Sequence, residues 1–193
     1  MSKKKLEAPS LEQLEAELRA VQYKNSYGRM LRSTIYILIT VAAAAVLIAV
    51  LLLPVLQITG GSMTETLHDG DIVVALNGSD YKTGDVVAFY YNNNILVKRV
   101  IANAGDWVDI DEEGNVFVND VQLDEPYISE KSLGNCNIEL PYQVPDSCIF
   151  VMGDHRETSV DSRNTAVGCI RTNLTIGRIL LRVWPLSDLG LID

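Results

Sequence analysis

The chain has 193 residues, of which 48% are hydrophobic, and its formal net charge at pH 7 is −9. This length gives room for one compact domain plus a tail. The acidic balance argues against a nucleic-acid-binding protein, which needs basic patches, and against electrostatic docking on anionic lipid.

Residues 1–32 are predicted to form a basic cytoplasmic tail that contains one short helix. Ser10 is a suitable N-cap for a helix through LEQLEAELRAVQYK. An apolar stripe at helical spacing follows the cap: Leu11, Leu14, Leu18 and Val21. Two interpretations stay open, because this stripe could bind a partner helix or the membrane, or the helix could have no specific partner.

A long apolar segment follows the tail. Residues 35–56 read IYILITVAAAAVLIAVLLLPVL and contain no charge. At about 1.5 Å per residue this run crosses a hydrocarbon core of about 30 Å, and it exceeds the roughly 7–15 residues of a signal-peptide h-region. We therefore predict an uncleaved transmembrane anchor over residues 33–57. Basic residues cluster before residue 33 and resume only at Lys82, so the N-terminus is expected in the cytoplasm and the rest of the chain outside.

Residues 58–193 are predicted to form a mainly β extracytoplasmic domain. Short runs of β-branched and aromatic residues alternate with turn signals, namely DIVVAL, DVVAFYY, ILVKRVIA, WVDI, VFVND, CIFVMGD and IGRILLRVW. Residues 121–147 are rich in proline and are interpreted as an irregular insertion.

Three cysteines lie in this outer domain: Cys136, Cys148 and Cys169. A Cys136–Cys148 disulfide and three reduced cysteines both stay open as interpretations. The cysteine spacing matches no zinc site, and two histidines are too few to complete one. We expect no metal and no other cofactor.

The stretch GGSMTETLHDGD, residues 60–71, places a serine soon after the predicted anchor. A serine hydroxyl is a poor nucleophile until a base takes its proton. Gly60 and Gly61 allow a substrate chain to approach closely, and the amide of Ser62 is a candidate donor to an oxyanion. The alternative for this stretch is a flexible linker.

Two kinds of base are available to Ser62. A triad would use His155 with Asp154 or Asp161. The other candidate is Lys98, which interrupts an apolar strand and shares its face with apolar neighbours. Burial lowers the pKa of a lysine and makes it a usable general base. The alternative is a surface lysine that protects an edge strand.

A third stretch, GDHRETSVDSR at residues 153–163, is dense in charge. Asp154, Arg156, Asp161 and Arg163 could hold a site rigid through bidentate arginine–carboxylate pairs. The alternative is a solvated polar turn.

These stretches resemble the characteristic boxes of bacterial type I signal peptidases, which are membrane-anchored Ser/Lys proteases. Residues 62–71 match the nucleophile box, Ser-Met-x-Pro-Thr-Leu followed by Gly-Asp. Residues 84–87 match the Gly-Asp-Val-Val strand, and residues 98–106 match the lysine box. Residues 153–163 match the last box, Gly-Asp-Asn-Arg-x-x-Ser-x-Asp-Ser-Arg. The resemblance covers about residues 33–187.

Some positions depart from the family pattern. Glu65 and Ala104 stand where the family has proline, and His155 stands where it has asparagine. Glu65 places a charge near the cleft. Gly60 stands where some members carry a serine that assists the oxyanion hole, so the hole here is expected to use the Ser62 amide.

The resemblance implies a role for each matched residue. It favours a Ser62–Lys98 dyad, because eukaryotic-type relatives carry histidine where this chain has Lys98. Ser159 is expected to orient Lys98. A supporting framework of salt bridges is expected from four residues: Asp154, Asp161, Arg163 and Arg99. The oxyanion and substrate-strand positions are Gly60, Gly61 and Met63.

The resemblance also implies the function. We expect a serine endopeptidase at the outer face of the bacterial cytoplasmic membrane, which removes signal peptides from secreted pre-proteins after small residues of the Ala-x-Ala type. The implied domain has antiparallel β-sheets and resembles the self-cleaving repressor proteases, and its single anchor resembles Gram-positive members. Expected partners are signal peptides, the lipid bilayer and a neighbouring secretion translocon, but no nucleic acid. A silent or dedicated-substrate paralogue in surface-protein or pilus assembly is the alternative, and the oligomeric state stays open.

Overall fold

One continuous helix, α1 (Leu11–Leu52), opens the computed structural model, which describes residues 10–78 and 80–192. Ser10 caps this helix as predicted. The amide of Gln13 donates to Ser10 Oγ at 3.3 Å, and the amide of Ser10 donates to Gln13 Oε1 at 3.1 Å. This reciprocal pair is a capping box. Lys3, Lys4 and Lys5, on which the predicted orientation partly depends, lie outside the described residues.

Within α1, the stretch Tyr27–Ala49 is long and apolar enough to cross a membrane. The predicted tail helix and the predicted anchor are thus one element, because no proline lies between them and the glycine at residue 28 costs only about 1 kcal/mol. The helix ends at Leu52, earlier than the predicted limit of residue 57. Pro54 explains this end, since the residue before a proline avoids the helical conformation.

The described residues beyond α1 form twelve β-strands and two short 3-10 helices. The strands are β1 (Val55–Gln57), β2 (Ile72–Leu76), β3 (Val86–Tyr91), β4 (Asn94–Asn103), β5 (Trp107–Ile110), β6 (Val116–Val118), β7 (Val121–Gln122), β8 (Tyr142–Gln143), β9 (Cys148–Met152), β10 (Ile170–Arg171), β11 (Thr175–Trp184) and β12 (Gly190–Leu191). The 3-10 helices are Thr172–Leu174 and Leu186–Asp188. Every run that the sequence predicted as a strand forms one.

All strand pairs are antiparallel and form two sheets among the described residues. The larger sheet has the order β1-β2-β11-β3-β4-β9-β10, with β12 pairing β11, and the smaller sheet has the order β7-β6-β5-β8. The prediction of an apolar helix followed by a mainly antiparallel β domain is therefore confirmed.

Apolar residues cover both faces of the larger sheet. Alternation along β3 sends Val86 and Ala88 to a cluster that also contains Met63 and Leu67. It sends Val87 and Phe89 to a second cluster on the other face. The stretch that contains Ser62 is thus fixed to the sheet by buried side chains of its own neighbours.

The predicted insertion, residues 121–147, contains only the two-residue strands β7 and β8. Its apolar residues pack with β5, β6 and β9 in a third cluster that includes Val144 and Phe150. Cys136, Cys148 and Cys169 are all free thiols, so the structure has the reduced alternative and no Cys136–Cys148 disulfide.

Candidate active site

Ser62 lies in a tight turn between β1 and β2, here called the nucleophile turn after the predicted role of Ser62. Met63 and Leu67 are 2% and 0% exposed, and the Leu67 amide donates to the Met63 carbonyl at 2.8 Å. The Thr64 amide donates to the Gly61 carbonyl at 3.1 Å. These contacts hold the backbone of Ser62 in place while its side chain stays half-exposed, which a nucleophile that must meet a polypeptide requires.

Glu65 departs from the family pattern in backbone conformation as well as in charge. Its φ is +92°, a conformation that proline, with φ fixed near −65°, does not adopt. Its carboxylate accepts a hydrogen bond from Ser129 Oγ at 3.1 Å, which joins the nucleophile turn to the insertion. The nucleophile turn therefore differs in shape from one that contains the usual proline.

Lys98 lies in the middle of β4 and is 3% exposed. Burial lowers the pKa of its amine from 10.5 to about 8, against the attraction of Asp161 and with a smaller lowering by Arg163. Among the side chains described, none forms a salt bridge or hydrogen bond with the Lys98 amine. Lys98 is therefore buried, as its apolar face predicted, and its neutral form keeps a free lone pair.

The residue after the lysine joins three segments of the site. Arg99 makes a bidentate pair with Asp154, with distances of 3.0 Å from Nε and 2.9 Å from Nη2. Thr66 Oγ1 donates to the same carboxylate at 2.5 Å and accepts from Arg99 Nη2 at 3.0 Å. The lysine strand, the nucleophile turn and the 153–163 loop are thus connected through one buried carboxylate.

A second buried pair holds the far side of the 153–163 loop. Arg163 donates to both oxygens of Asp161 at 2.9 Å, and the Gly153 amide donates to Asp161 Oδ2 at 2.9 Å. Burial alone would raise the pKa of the Asp161 carboxyl, but the hydrogen bonds and charge of Arg163 outweigh it and lower the pKa. Asp161 is therefore an anion beside Lys98, and its supporting role stays a prediction.

The 153–163 loop lies directly against the backbone of Ser62. The His155 amide donates to the Ser62 carbonyl at 3.1 Å. A Cβ atom on Gly153 would overlap Ser159 Oγ and would lie 2.5 Å from the Ser62 carbonyl oxygen. Only a glycine fits between these two serines.

Ser159 is 1% exposed, and its Oγ lacks a well-formed hydrogen bond to any described residue, although it is near enough to Asp161 to help lower that pKa. The described residues show no hydrogen bond between Ser159 and Lys98, so its orienting role stays a prediction. A buried hydroxyl without a hydrogen-bond partner lowers the free energy of unfolding by about 1–3 kcal/mol. Such unsatisfied groups are typical of functional sites.

The triad alternative is not formed. The His155 ring is bonded through Nδ1 to Thr158 Oγ1 at 2.9 Å. Asp154 and Asp161, its predicted carboxylate partners, are both bound by arginines.

A groove of about 210 Å³ leads to Ser62. It is lined by residues 55–60, Ser62, Met63 and residues 95–97, so it lies between β1 and the first half of β4. Both strands present a free edge here, because β1 pairs only with β2 and β9 pairs with β4 only from Arg99 onward.

The backbone of each edge strand is oriented toward this groove. The amide and carbonyl of Val100 bond to Asp85 and Gly84 beside β3, so alternation turns those of Val97 to the free edge. The amide and carbonyl of Ile58 bond toward β2, so alternation turns those of Gln57 to the groove. An extended peptide between the two edges would find donors and acceptors on both sides.

Sequence reasoning missed three members of this site. Thr66 falls inside the nucleophile box, but its spacing gave no indication that it would bond to Asp154. Glu125 and Tyr127 lie in the insertion, and no local pattern links them to the arginines that they contact.

Comparisons with family models and with curated proteins agree with the motifs. Residues 31–184 match the family described as signal peptidase, peptidase S26. Signal peptidase IB of Staphylococcus aureus is 37% identical over 153 residues, covering 68% of this chain and 78% of the relative. Thylakoidal processing peptidase 1 of Arabidopsis thaliana is 32% identical over 151 residues, covering 69% of this chain, and the match spans only 43% of that protein. The crystal structure of a signal peptidase I from Enterococcus faecalis V583 aligns with a TM-score of 0.42 and 24% identity, over 51% of this chain and 96% of that one.

Proposed function

Because this chain belongs to the signal peptidase family, peptidase S26, we propose that it cleaves signal peptides from secretory pre-proteins with Ser62 as nucleophile and Lys98 as general base. The observation that carries the proposal is the buried Lys98 amine, whose pKa of about 8 makes its neutral form accessible near physiological pH. The resemblance found in the sequence is confirmed at the level of the family, and the chain is a hydrolase.

The chemistry proceeds through an acyl-enzyme. Neutral Lys98 accepts the proton of Ser62 Oγ as this oxygen attacks the scissile carbonyl. The amide of Ser62 stabilises the oxyanion. The Lys98 ammonium then protonates the leaving amine, and the C–N bond breaks. Lys98, neutral again, takes a proton from water as the water oxygen attacks the ester carbonyl. The bond between Ser62 Oγ and the acyl carbon then breaks, the Lys98 ammonium returns the proton to Ser62 Oγ, and the signal peptide leaves with a new carboxyl group.

The groove supplies substrate binding. We infer that the residues before the scissile bond add as an extended strand between β1 and β4, with hydrogen bonds to the backbone of Gln57 and Val97. The groove is small and lined mainly by apolar residues, including Leu56, Ile58 and Val97. This suits small apolar side chains before the cut, as in an Ala-x-Ala sequence.

The apolar helix supports a membrane location. Ser62 is ten positions after the end of α1 at Leu52, and an extended chain of this length spans at most about 35 Å. We infer that this short connection keeps Ser62 within reach of a cleavage site that emerges from the membrane. We propose a cytoplasmic N-terminus and an extracytoplasmic catalytic domain, since basic residues precede the span Tyr27–Ala49.

The proposal is tested by cleavage of a synthetic signal peptide with an Ala-x-Ala site in detergent. Wild type should cut it after the second alanine, while Ser62→Ala and Lys98→Ala should lose turnover by at least about 10³-fold with the circular dichroism spectrum unchanged. Lys82→Ala, which removes an exposed lysine, is the matched control and should keep full activity. Activity in Lys98→Ala would refute the dyad. An inert, folded wild type would favour the silent or dedicated-substrate paralogue.

A further inference from the structure

A buried ion pair connects the insertion to the 153–163 loop, here called the catalytic loop after its predicted role. Glu125, between β7 and β8, pairs with Arg156, and both side chains are at most 1% exposed. Arg156 Nη1 also donates to Glu125 Oε2 at 3.2 Å. Taking two charges out of water is unfavourable, and apolar residues of the same volume are often at least as stabilising. A contribution to stability alone does not explain why this pair is buried here.

The position of Arg156 suggests what the pair does. Its Nε donates to the Gly153 carbonyl at 3.1 Å. Gly153 is the residue that fits between the Ser62 carbonyl and Ser159 Oγ. Glu125 therefore fixes, through one arginine, the backbone at the tightest point of the site.

The same segment also reaches the lysine strand. The Tyr127 ring lies over the Arg99 guanidinium, with 3.9 Å from Cζ to the ring centroid. The Tyr127 hydroxyl donates to Glu125 Oε1 at 3.0 Å, so the two contacts are coupled. Arg99 directly follows Lys98 in β4 and binds Asp154. Glu125 and Tyr127 thus hold the lysine strand and the catalytic loop together from outside.

We propose that Glu125 and Tyr127 are positioning residues of the peptidase, which set the geometry between Ser62 and Lys98 through Arg156 and Arg99. Neither residue lines the groove that leads to Ser62, so their effect is on the chemical step and not on peptide binding. Neither belongs to the apolar cluster that folds the insertion. The inference rests on the proposed function.

The test uses two substitutions at Tyr127 and one at Glu125 in the full chain in detergent. Tyr127→Phe keeps the ring over Arg99, Tyr127→Leu removes it, and Glu125→Gln removes the charge that Arg156 binds. Misplacement of a reacting group by 1 Å costs about 10²-fold in rate. We expect Glu125→Gln and Tyr127→Leu to lower kcat between about 10-fold and 10²-fold, with KM within about twofold of wild type.

Tyr142→Leu is the matched control. Tyr142 is a partly buried tyrosine of the same insertion, and its ring packs against Phe150, away from both arginines. The Tyr142→Leu variant should keep kcat within about twofold of wild type even where it lowers the melting temperature. Tyr127→Phe should keep kcat within about threefold of wild type. Equal losses of kcat in Tyr142→Leu and Tyr127→Leu would mean a merely structural role and would overturn the proposal, as would wild-type kcat in Tyr127→Leu.

A second assay measures acylation of Ser62 by a nitrophenyl ester with enzyme in excess. It distinguishes a failure of this inference from a failure of the proposed function. If wild type releases nitrophenol but cuts no signal peptide, the proposed function fails while the ranking of the variants in the ester reaction still decides the positioning role. If Glu125→Gln does not fold, the comparison of Tyr127→Phe with Tyr127→Leu decides it. No acylation of Ser62 in folded wild type would overturn both.

Discussion

Raising the pH should activate the peptidase through one ionisation, that of Lys98. Burial lowers its pKa from 10.5 to about 8. At pH 7 about one molecule in ten then carries the neutral amine that can accept the Ser62 proton, against about three in ten thousand at an ordinary lysine pKa. The rate should therefore be about a tenth of its plateau at pH 7 and about a hundredth at pH 6.

The measurement is kcat/KM for a fluorogenic Ala-x-Ala peptide in detergent between pH 5.5 and 10.5, because this ratio reports the free enzyme. The acid limb should have unit slope and a midpoint near pH 8. Lys82→Ala should give the same profile, since this exposed lysine takes no part in the chemistry. A flat rate from pH 6 to pH 9, or a midpoint near that of an ordinary lysine, would refute the argument that burial prepares Lys98 as the base.

Two further substitutions test the structure directly. Because the native pKa of Lys98 is depressed, the unfolded chain binds more protons between about pH 8 and 10.5, and wild-type stability should rise with pH across that window. Lys98→Met removes the free-energy cost of burying the ammonium and should stabilise the β domain at pH 7 by up to about 3 kcal/mol in urea unfolding. Above pH 10.5 the two proteins should differ little. A variant less stable than wild type at pH 7 would contradict this. Gly153→Ala should lower the free energy of unfolding by about 1–3 kcal/mol and reduce activity, because its Cβ would overlap Ser159 Oγ. Gly78→Ala, at a position with open space around it, should change neither, and a fully active Gly153→Ala would show that the loop can relax.

The fold was predictable where it depends on local periodicity. Runs of β-branched residues predicted the strands, and the apolar neighbours of Lys98 predicted its burial. The sequence did not show that the predicted tail helix and the predicted anchor form one continuous helix. Composition changes near residue 33, but the backbone continues helical through that change because no residue there stops it.

The rest of the site depends on contacts between distant parts of the chain, which leave no periodic pattern. Glu125 and Arg156 are 31 positions apart, and nothing near either one identifies its partner. The left-handed conformation of Glu65 was equally hidden, because glutamate rarely adopts a positive φ and the family pattern indicated a position for proline. Motif matching therefore predicted the reacting residues but gave no sign of the buried contacts around them.

The register of the larger sheet brings the strand of Lys98 and the 153–163 loop together beside Ser62. Arg99 pairs with Met152, so β4 changes from a free edge to a paired one directly after Lys98. The next residue after Met152 is Gly153, which lies against the Ser62 carbonyl. A free strand edge is normally a liability because it invites aggregation. Here the free edge ends at Lys98. If the proposed substrate strand adds to this edge, it can extend no further along β4 than the proposed general base, which is the point where its scissile bond must be attacked.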